Sequence, residues 1–111
     1  MTKTISIDTF KSLNIRVGKI TSVEDFPTAK NPLYIIHIDF GNYILQTCAG
    51  LRNIKTKKEL IGLHVICLTN IEPKQIGKHI SNCLILAAEN KNKNPNLLCT
   101  EKNEKIGSKI F

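Results

Sequence analysis

The sequence predicts an all-β domain: a five-stranded barrel with a short helix between its third and fourth strands. Three observations carry this. Short apolar stretches recur at 14–23, 33–40, 43–48, 64–69 and 83–88, each of strand length. Turn-formers separate them, with Pro27 and Pro32 in 24–32, Gly41-Asn42, and Pro73 and Gly77 in 70–80. One helix start stands out, the capping box Thr56-Lys57-Lys58-Glu59. With 111 residues and no long linker or internal repeat, positions 1–111 form one domain with its own core.

The elements follow in order. Residues 8–13 suit one helical turn, with Asp8 as N-cap and Phe10 and Leu13 turned inward. In the first strand Ile15 and Val17 alternate, Gly18 breaks the phase, and Ile20 and Val23 resume. A glycine at a phase break predicts a β-bulge or bend there. Residues 24–32 are a loop. The second strand places Tyr34, Ile36, Ile38 and Phe40 on one face, and Gly41-Asn42 turns it into the third, Tyr43 to Cys48. The helix covers about 56–61 and Gly62 stops it. Strands four and five flank a loop at 70–80. Residues 89–96 (ENKNKNPN) read as a mobile polar loop, and Leu97 to Cys99 as a short strand. The apolar residues of 106–111 predict a docked end. Five strands with a helix between the third and fourth is the plan of an OB-fold barrel.

Composition narrows the function. Sixteen Lys and Arg against nine Asp and Glu leave a net charge of +7, which favours an anionic partner. Two Tyr, four Phe and no Trp argue against a surface built on many stacked bases. No apolar run approaches a membrane span, and MTKTISID shows no secretory signal, so the expectation is a cytoplasmic protein without a membrane partner. Cys48, Cys67, Cys83 and Cys99 are widely spaced and read as buried thiols, not disulfides or zinc ligands. His37, His64 and His79 form no metal-ligand spacing. There is no nucleophile elbow, P-loop or GxGxxG, and Glu24, Asp25 and Asp39 read as solvated acids. A catalytic role and a cofactor are not expected.

In an OB-fold the loops after strands one and four flank the face of strands two and three. Here they bring Lys30, Lys74, Lys78 and His79 to one side, and Arg52 and Lys55 extend the patch. Lys74 and Lys78 are candidates for phosphate pairing or for plain solvation. Asn70 can donate to a phosphate or ribose, or close its own turn. Ser81 offers the same pair of readings. Arg16 reads as a structural residue, and Lys57 and Lys58 as solvated.

Several segments resemble one family. Asn14-Ile-Arg-Val-Gly-Lys-Ile resembles the "DIRVGKI" opening of the EMAP-II-like tRNA-binding domain. Glu59-Leu-Ile-Gly-Leu-His-Val resembles its "ELIGKKV", and Asn70 and Ser81 match its loop Asn and Ser. Glu24-Asp-Phe-Pro-Thr-Ala-Lys-Asn-Pro-Leu-Tyr, with Ile38-Asp-Phe-Gly41, is similar to the CsaA-type branch, described as export-related chaperones. There are departures. Where the family has Ser-Glu-Gly-Met this chain has Ser81-Asn82-Cys83-Leu84, and where the CsaA type has Ser-Ser-Ala-Gln it has Gln46-Thr-Cys-Ala-Gly-Leu51. The resemblance implies a homodimer formed through both terminal segments. It also implies binding of structured RNA, above all tRNA, through Lys30, Arg52, Asn70, Lys74, Lys78, His79 and Ser81. The alternative it carries is a chaperone that holds unfolded or pre-secretory polypeptide in apolar pockets.

Overall fold

The computed structural model describes residues 2–26 and 33–111. Its elements are α1 (Ile7–Lys11), β1 (Ile15–Phe26), β2 (Leu33–Asp39), β3 (Ile44–Ala49), α2 (Lys57–Leu60), β4 (His64–Leu68), β5 (Lys74–Ile76), β6 (His79–Ser81), β7 (Leu84–Ile85), β8 (Ala87–Glu89) and β9 (Pro95–Leu97). A curled antiparallel sheet has the order β3-β2-β1-β4-β7, and β5-β6 and β8-β9 form two separate hairpins. This is an OB-like half-barrel with a short helix between its third and fourth strands, as the sequence predicts.

The long strand β1 organises the molecule. Its residues 19–26 pair with β2 and its residues 15–19 with β4. The bend needed to serve both partners falls at Thr21, not at Gly18. Ile20 faces Ile38 and Ser22 faces His37, which leaves Thr21 as the extra residue. Gly18 keeps regular register with Val65. Its role is space: a Cβ there would lie 2.5 Å from Ile38 Cγ2 and 2.6 Å from Phe40 Cε1. The pattern break was real, but it marks a close approach of side chains and not the bulge itself.

Ile20, Ile36, Ile38, Val17, Val65 and Cys67 fill the core, and Leu60 of α2 plugs it from one end. Both bonds of the capping box form. The Glu59 N–H donates to Thr56 Oγ1 at 3.2 Å, and the Thr56 N–H donates to Glu59 Oε1 at 2.8 Å. The second bond holds the Glu59 carboxyl below the usual carboxylate range. Gly62 ends the helix at φ +93, and its N–H donates to Ile20 O at 2.8 Å. The helix exit thereby takes up a backbone group of β1 beside the bulge.

Four local expectations change. The cap of α1 is Ser6, whose Oγ accepts from the Thr9 N–H, so Asp8 lies in the first turn, where its charge favours the helix N-terminus. Leu13 is exposed, while Phe10 is half-buried. The fifth strand is broken: β7 stays on β4, and β8 departs to pair with β9. Residues 89–96 are therefore a closed hairpin turn and not a loose loop. Asn90 Oδ1 accepts from the Asn92 and Asn94 N–H groups, which ties the turn internally.

Residues 106–111 dock, as expected. The Val17 N–H donates to Ser108 O, the Gly107 N–H to Val17 O and the Ile110 N–H to Ile15 O, at 2.7–2.9 Å. This short segment takes the edge of β1 that β2 has left. Phe111 stays 97% exposed. All four cysteines are free thiols; Cys67 and Cys83 are buried, but Cys48 is half-buried and Cys99 is exposed. β9 ends at Leu97, so Cys99 lies past it, exposed at the rim of a cleft lined also by Leu63, His64 and Val65.

Candidate nucleic-acid interface

The 70–80 loop is itself built. β5 and β6 pair Lys74 with Ser81, Gln75 with Ile80 and Ile76 with His79, around a two-residue turn at Gly77-Lys78. Gly77 sits at φ +60, which favours glycine, and the Gln75 side-chain amide donates to Gly77 O at 3.0 Å. The hairpin tip leans on the end of β1. The His79 ring meets Phe26 edge-on, with centroids 5.0 Å apart, and a Cβ on Gly77 would lie 3.2 Å from Phe26 Cζ. The tip is thus fixed against the residue from which the first loop departs. Lys74 and Lys78 are exposed on it. Lys30 lies outside the described residues.

Asn70 and Ser81 do a different job from the lysines. Asn70 Oδ1 accepts from the Asn14 N–H at 2.8 Å, and its Nδ2 donates to Ser12 O at 2.8 Å. The Asn70 amide therefore clamps the hairpin base to the junction of α1 and β1. Ser81 Oγ lies 3.2 Å from Thr47 Oγ1 and accepts from the Cys48 N–H at 3.3 Å. It fastens the other leg of the hairpin to β3. Sequence reasoning did not find the second half of this fastening. The Gln46 N–H donates to Asn82 Oδ1 at 3.0 Å, the Gln46 side chain to Ile80 O at 3.0 Å, and the Asn82 N–H to Gln46 O at 2.9 Å. These bonds close the barrel between β3 and the approach to β7. A Gln on a strand and an Asn in a loop carry no local signal of such pairing, because the partners are 36 residues apart.

Arg52 and Lys57 converge on Asp25, one residue before Phe26. Arg52 Nε lies 3.4 Å from Asp25 Oδ1, and Lys57 Nζ lies 3.1 Å from Asp25 Oδ2. Two cations share one anion, so positive charge is left over. All three side chains are well exposed, and each pair contributes only about 0–1 kcal/mol. Lys55 is half-buried, and its carbonyl accepts from the Tyr34 hydroxyl at 2.8 Å. Arg52 and Lys57 on Asp25 and His79 on Phe26 thus meet at the end of β1, while Lys74 and Lys78 are exposed on the hairpin. Asn70 and Ser81 tie the two legs of that hairpin to 12–14 and to β3.

Two small clefts adjoin this region. One of about 230 Å³ lies between the hairpin and β3, lined by Thr47, Cys48, Ile71, Lys74, Ser81 and Leu84 among others. A more apolar one of about 260 Å³ lies between β3 and β7, lined by Cys48, Ala49, Leu51, Leu84, Ile85 and Leu97 among others. Burial raises the Cys48 thiol above its ordinary range. The Cys67 thiol is raised further, first by its hydrogen bond to Cys83 and then by burial, so it is no nucleophile. Among the described residues no three His, Cys, Asp or Glu side chains gather to hold a metal. Among them, too, no helix is long and apolar enough to cross a membrane.

A curled OB-like sheet with a basic hairpin braced against its first strand defines a ligand-binding β-barrel module. The comparisons say which. Residues 15–109 match the family described as "Putative tRNA binding domain", and the chain belongs to that family. It is 36% identical over 106 residues to the methionine–tRNA ligase of Thermococcus onnurineus, covering 96% of this chain but only 14% of that protein. The chain thus spans about a seventh of the length of such curated relatives. Among solved structures it resembles the CsaA chaperone protein of Picrophilus torridus, with TM-score 0.88, 35% identity and coverage of 97% of this chain and 100% of that one. It also resembles the chaperone CsaA of Bacillus anthracis, with TM-score 0.89, 26% identity and coverage of 98% and 100%. The CsaA-type resemblance of the sequence is thus matched by two solved CsaA structures.

Proposed function

We propose that this chain is a non-catalytic module that binds tRNA through the phosphate backbone, with the β5-β6 hairpin as its principal contact. One observation carries the reading. In a chain of the tRNA-binding-domain family, a rigid, braced hairpin presents Lys74 and Lys78 to solvent, and neither makes an ion pair among the described residues. Charge held in a fixed geometry loses little entropy on meeting phosphates. Lys78 at the turn, Lys74 on its flank and His79 against Phe26 are the first contacts. Arg52 adds to them when a phosphate competes with Asp25, and Lys30 of the first loop is a further candidate. Asn70 and Ser81 serve by holding the hairpin in place.

The working form in this reading is a cytoplasmic homodimer. Ile5, Ile7 and Leu13, which precede β1, and Phe111 of the docked segment are exposed apolar side chains, which a second copy would cover. Two copies would double the basic surface and engage one RNA bivalently.

A second reading has its own observation. The apolar cleft between β3 and β7 suits an aliphatic side chain of an unfolded polypeptide, and two structural likenesses are named as chaperones. A competition assay decides between them. Purified chain is titrated with labelled tRNA at several salt concentrations, then challenged with an unfolded polypeptide. Tight tRNA binding at low salt that polypeptide does not displace supports the first reading. No tRNA affinity at low salt, with retained holding of polypeptide, moves the function to the second.

A further inference from the structure

A further cleft lies at the opposite end of β2 from the first loop, and none of Lys74, Lys78, His79 or Arg52 lines it. Its volume is about 480 Å³, within the range of about 300–1,000 Å³ typical of small-molecule sites. The β2-β3 turn forms one wall and the docked segment 105–108 the other. Three chemical features meet there. Arg16, half-buried, lines it with its guanidinium fixed in place: Nε donates to Asn14 Oδ1 at 2.8 Å and Nη1 to Gly107 O at 3.2 Å. A guanidinium has five N–H donors, so three remain for a ligand. Lys105 supplies a second cation, exposed at the rim. Tyr43 supplies an aromatic ring that is 41% exposed and backed by Phe40, the rings stacked at 5.3 Å and 23°.

Among the described residues no acidic side chain lines the cleft. The adjacent Asp39 is engaged with its own turn, its Oδ1 accepting from the Gly41 N–H at 2.8 Å. A preset guanidinium with free donors is the geometry that takes a phosphate in a fork. A braced, half-exposed aromatic ring beside it is the surface on which a flat base stacks. Asn42 also lines the cleft, and its amide offers donors and an acceptor for the polar edge of a base or sugar.

We infer that this cleft binds a nucleotide unit, with its phosphate on Arg16 and Lys105 and its base on Tyr43. The inference does not depend on the hairpin reading, because Arg16, Lys105 and Tyr43 are not among the hairpin's candidate contacts. The same chemistry has two sources, a free mononucleotide or one unpaired residue of a bound RNA.

The test is a titration of the isotope-labelled full chain, followed by amide shifts, with three probes: AMP, inorganic phosphate and a short unstructured oligoadenylate. AMP is expected to shift the amides of Gly41 to Tyr43 and 105–108 and to saturate, with phosphate weaker at the same amides. Tyr43→Ala should weaken AMP at least about fivefold, the size of one lost base stack, and leave phosphate unchanged. Tyr43→Phe should restore AMP. Lys105→Ala, at an exposed side chain on the rim, should weaken both. The double variant Lys74→Ala with Lys78→Ala should alter none of this, so failure at the hairpin and failure here are told apart. Oligoadenylate binding more tightly than AMP at these amides assigns the site to RNA, and the reverse order assigns it to a free nucleotide. Absence of these shifts at millimolar AMP would overturn the inference. So would shifts confined to 74–79, or an unchanged AMP affinity in Tyr43→Ala.

Discussion

Replacing Lys74 and Lys78 together by alanine tests the hairpin most directly. Both ammonium groups are exposed and make no ion pair among the described residues. If each meets one phosphate, binding releases about 0.7–0.9 counterion per contact. The double variant should therefore lower the slope of log K against log salt by about 1.4–1.8 per chain. Between 50 and 200 mM salt, the wild type then loses about tenfold more affinity than the variant. Fluorescence anisotropy with labelled tRNA across that range reads the slope. Folding should be unchanged, because the turn rests on Gly77, Gln75 and the contact of His79 with Phe26. Arg52→Ala should change the slope less, since Asp25 already compensates part of that charge. An unaltered slope in the double variant, with the hairpin still folded, would refute the placement of phosphate on this face.

Three further outcomes follow from the packing. Gly18→Ala drives a methyl to 2.5 Å from Ile38, which is wholly buried, so the cost sits at the upper end of overpacking, about 3 kcal/mol, or roughly 10 °C in a thermal melt. Asn70→Ala removes both bonds to 12–14 and should cost about 1–2 kcal/mol in denaturant unfolding, with Asn70→Asp intermediate because it keeps the acceptor. Glu59 has a folded pKa below its unfolded one, so its contribution is present above about pH 4.3 and is lost as pH falls through the folded value. Amide exchange at Leu60 should accelerate over that window, and Glu59→Gln should flatten the dependence.

The parts legible in the sequence were those set by local rules. The capping box formed bond for bond because both partners lie within one turn. The alternation of Tyr34, Ile36, Ile38 and Phe40 put all four in the core, because a strand has period two. The misses share another cause. Gly18 was visible as an interruption, but whether it bends the strand or admits Phe40 depends on side chains twenty residues away. The run 89–96 looked unstructured because Asn, Lys and Pro are typical of loops, yet one Asn side chain closes the turn. Asn70 and Ser81 were placed near the right loop. Their hydrogen bonds to Ser12, Asn14 and Cys48 are long-range, so the sequence could not tell a ligand contact from a support.

That distinction bears on how the module works. A hairpin of three residues a leg is marginal by itself. Here it is held at its base by Asn70, along one leg by Ser81 and at the tip by Phe26. The polar residues of the loop thus give the lysines a fixed position, and the lysines carry the charge. The nucleotide cleft is arranged in the same way at the other end of the barrel, with Asn14 and Gly107 aiming Arg16. Asn14 takes part in both: its backbone N–H donates to Asn70 Oδ1, and its side-chain oxygen accepts from Arg16 Nε. Effects of Lys78 and Lys105 variants should therefore add, since the two side chains share no partner. Asn14→Ala, by contrast, should loosen both the aim of Arg16 and the seat of the docked segment, while the backbone bond to Asn70 survives. A double-mutant cycle joining Asn14→Ala to Asn70→Ala measures that coupling. A large coupling at the nucleotide cleft would mean that one end of the barrel senses the other through this single residue.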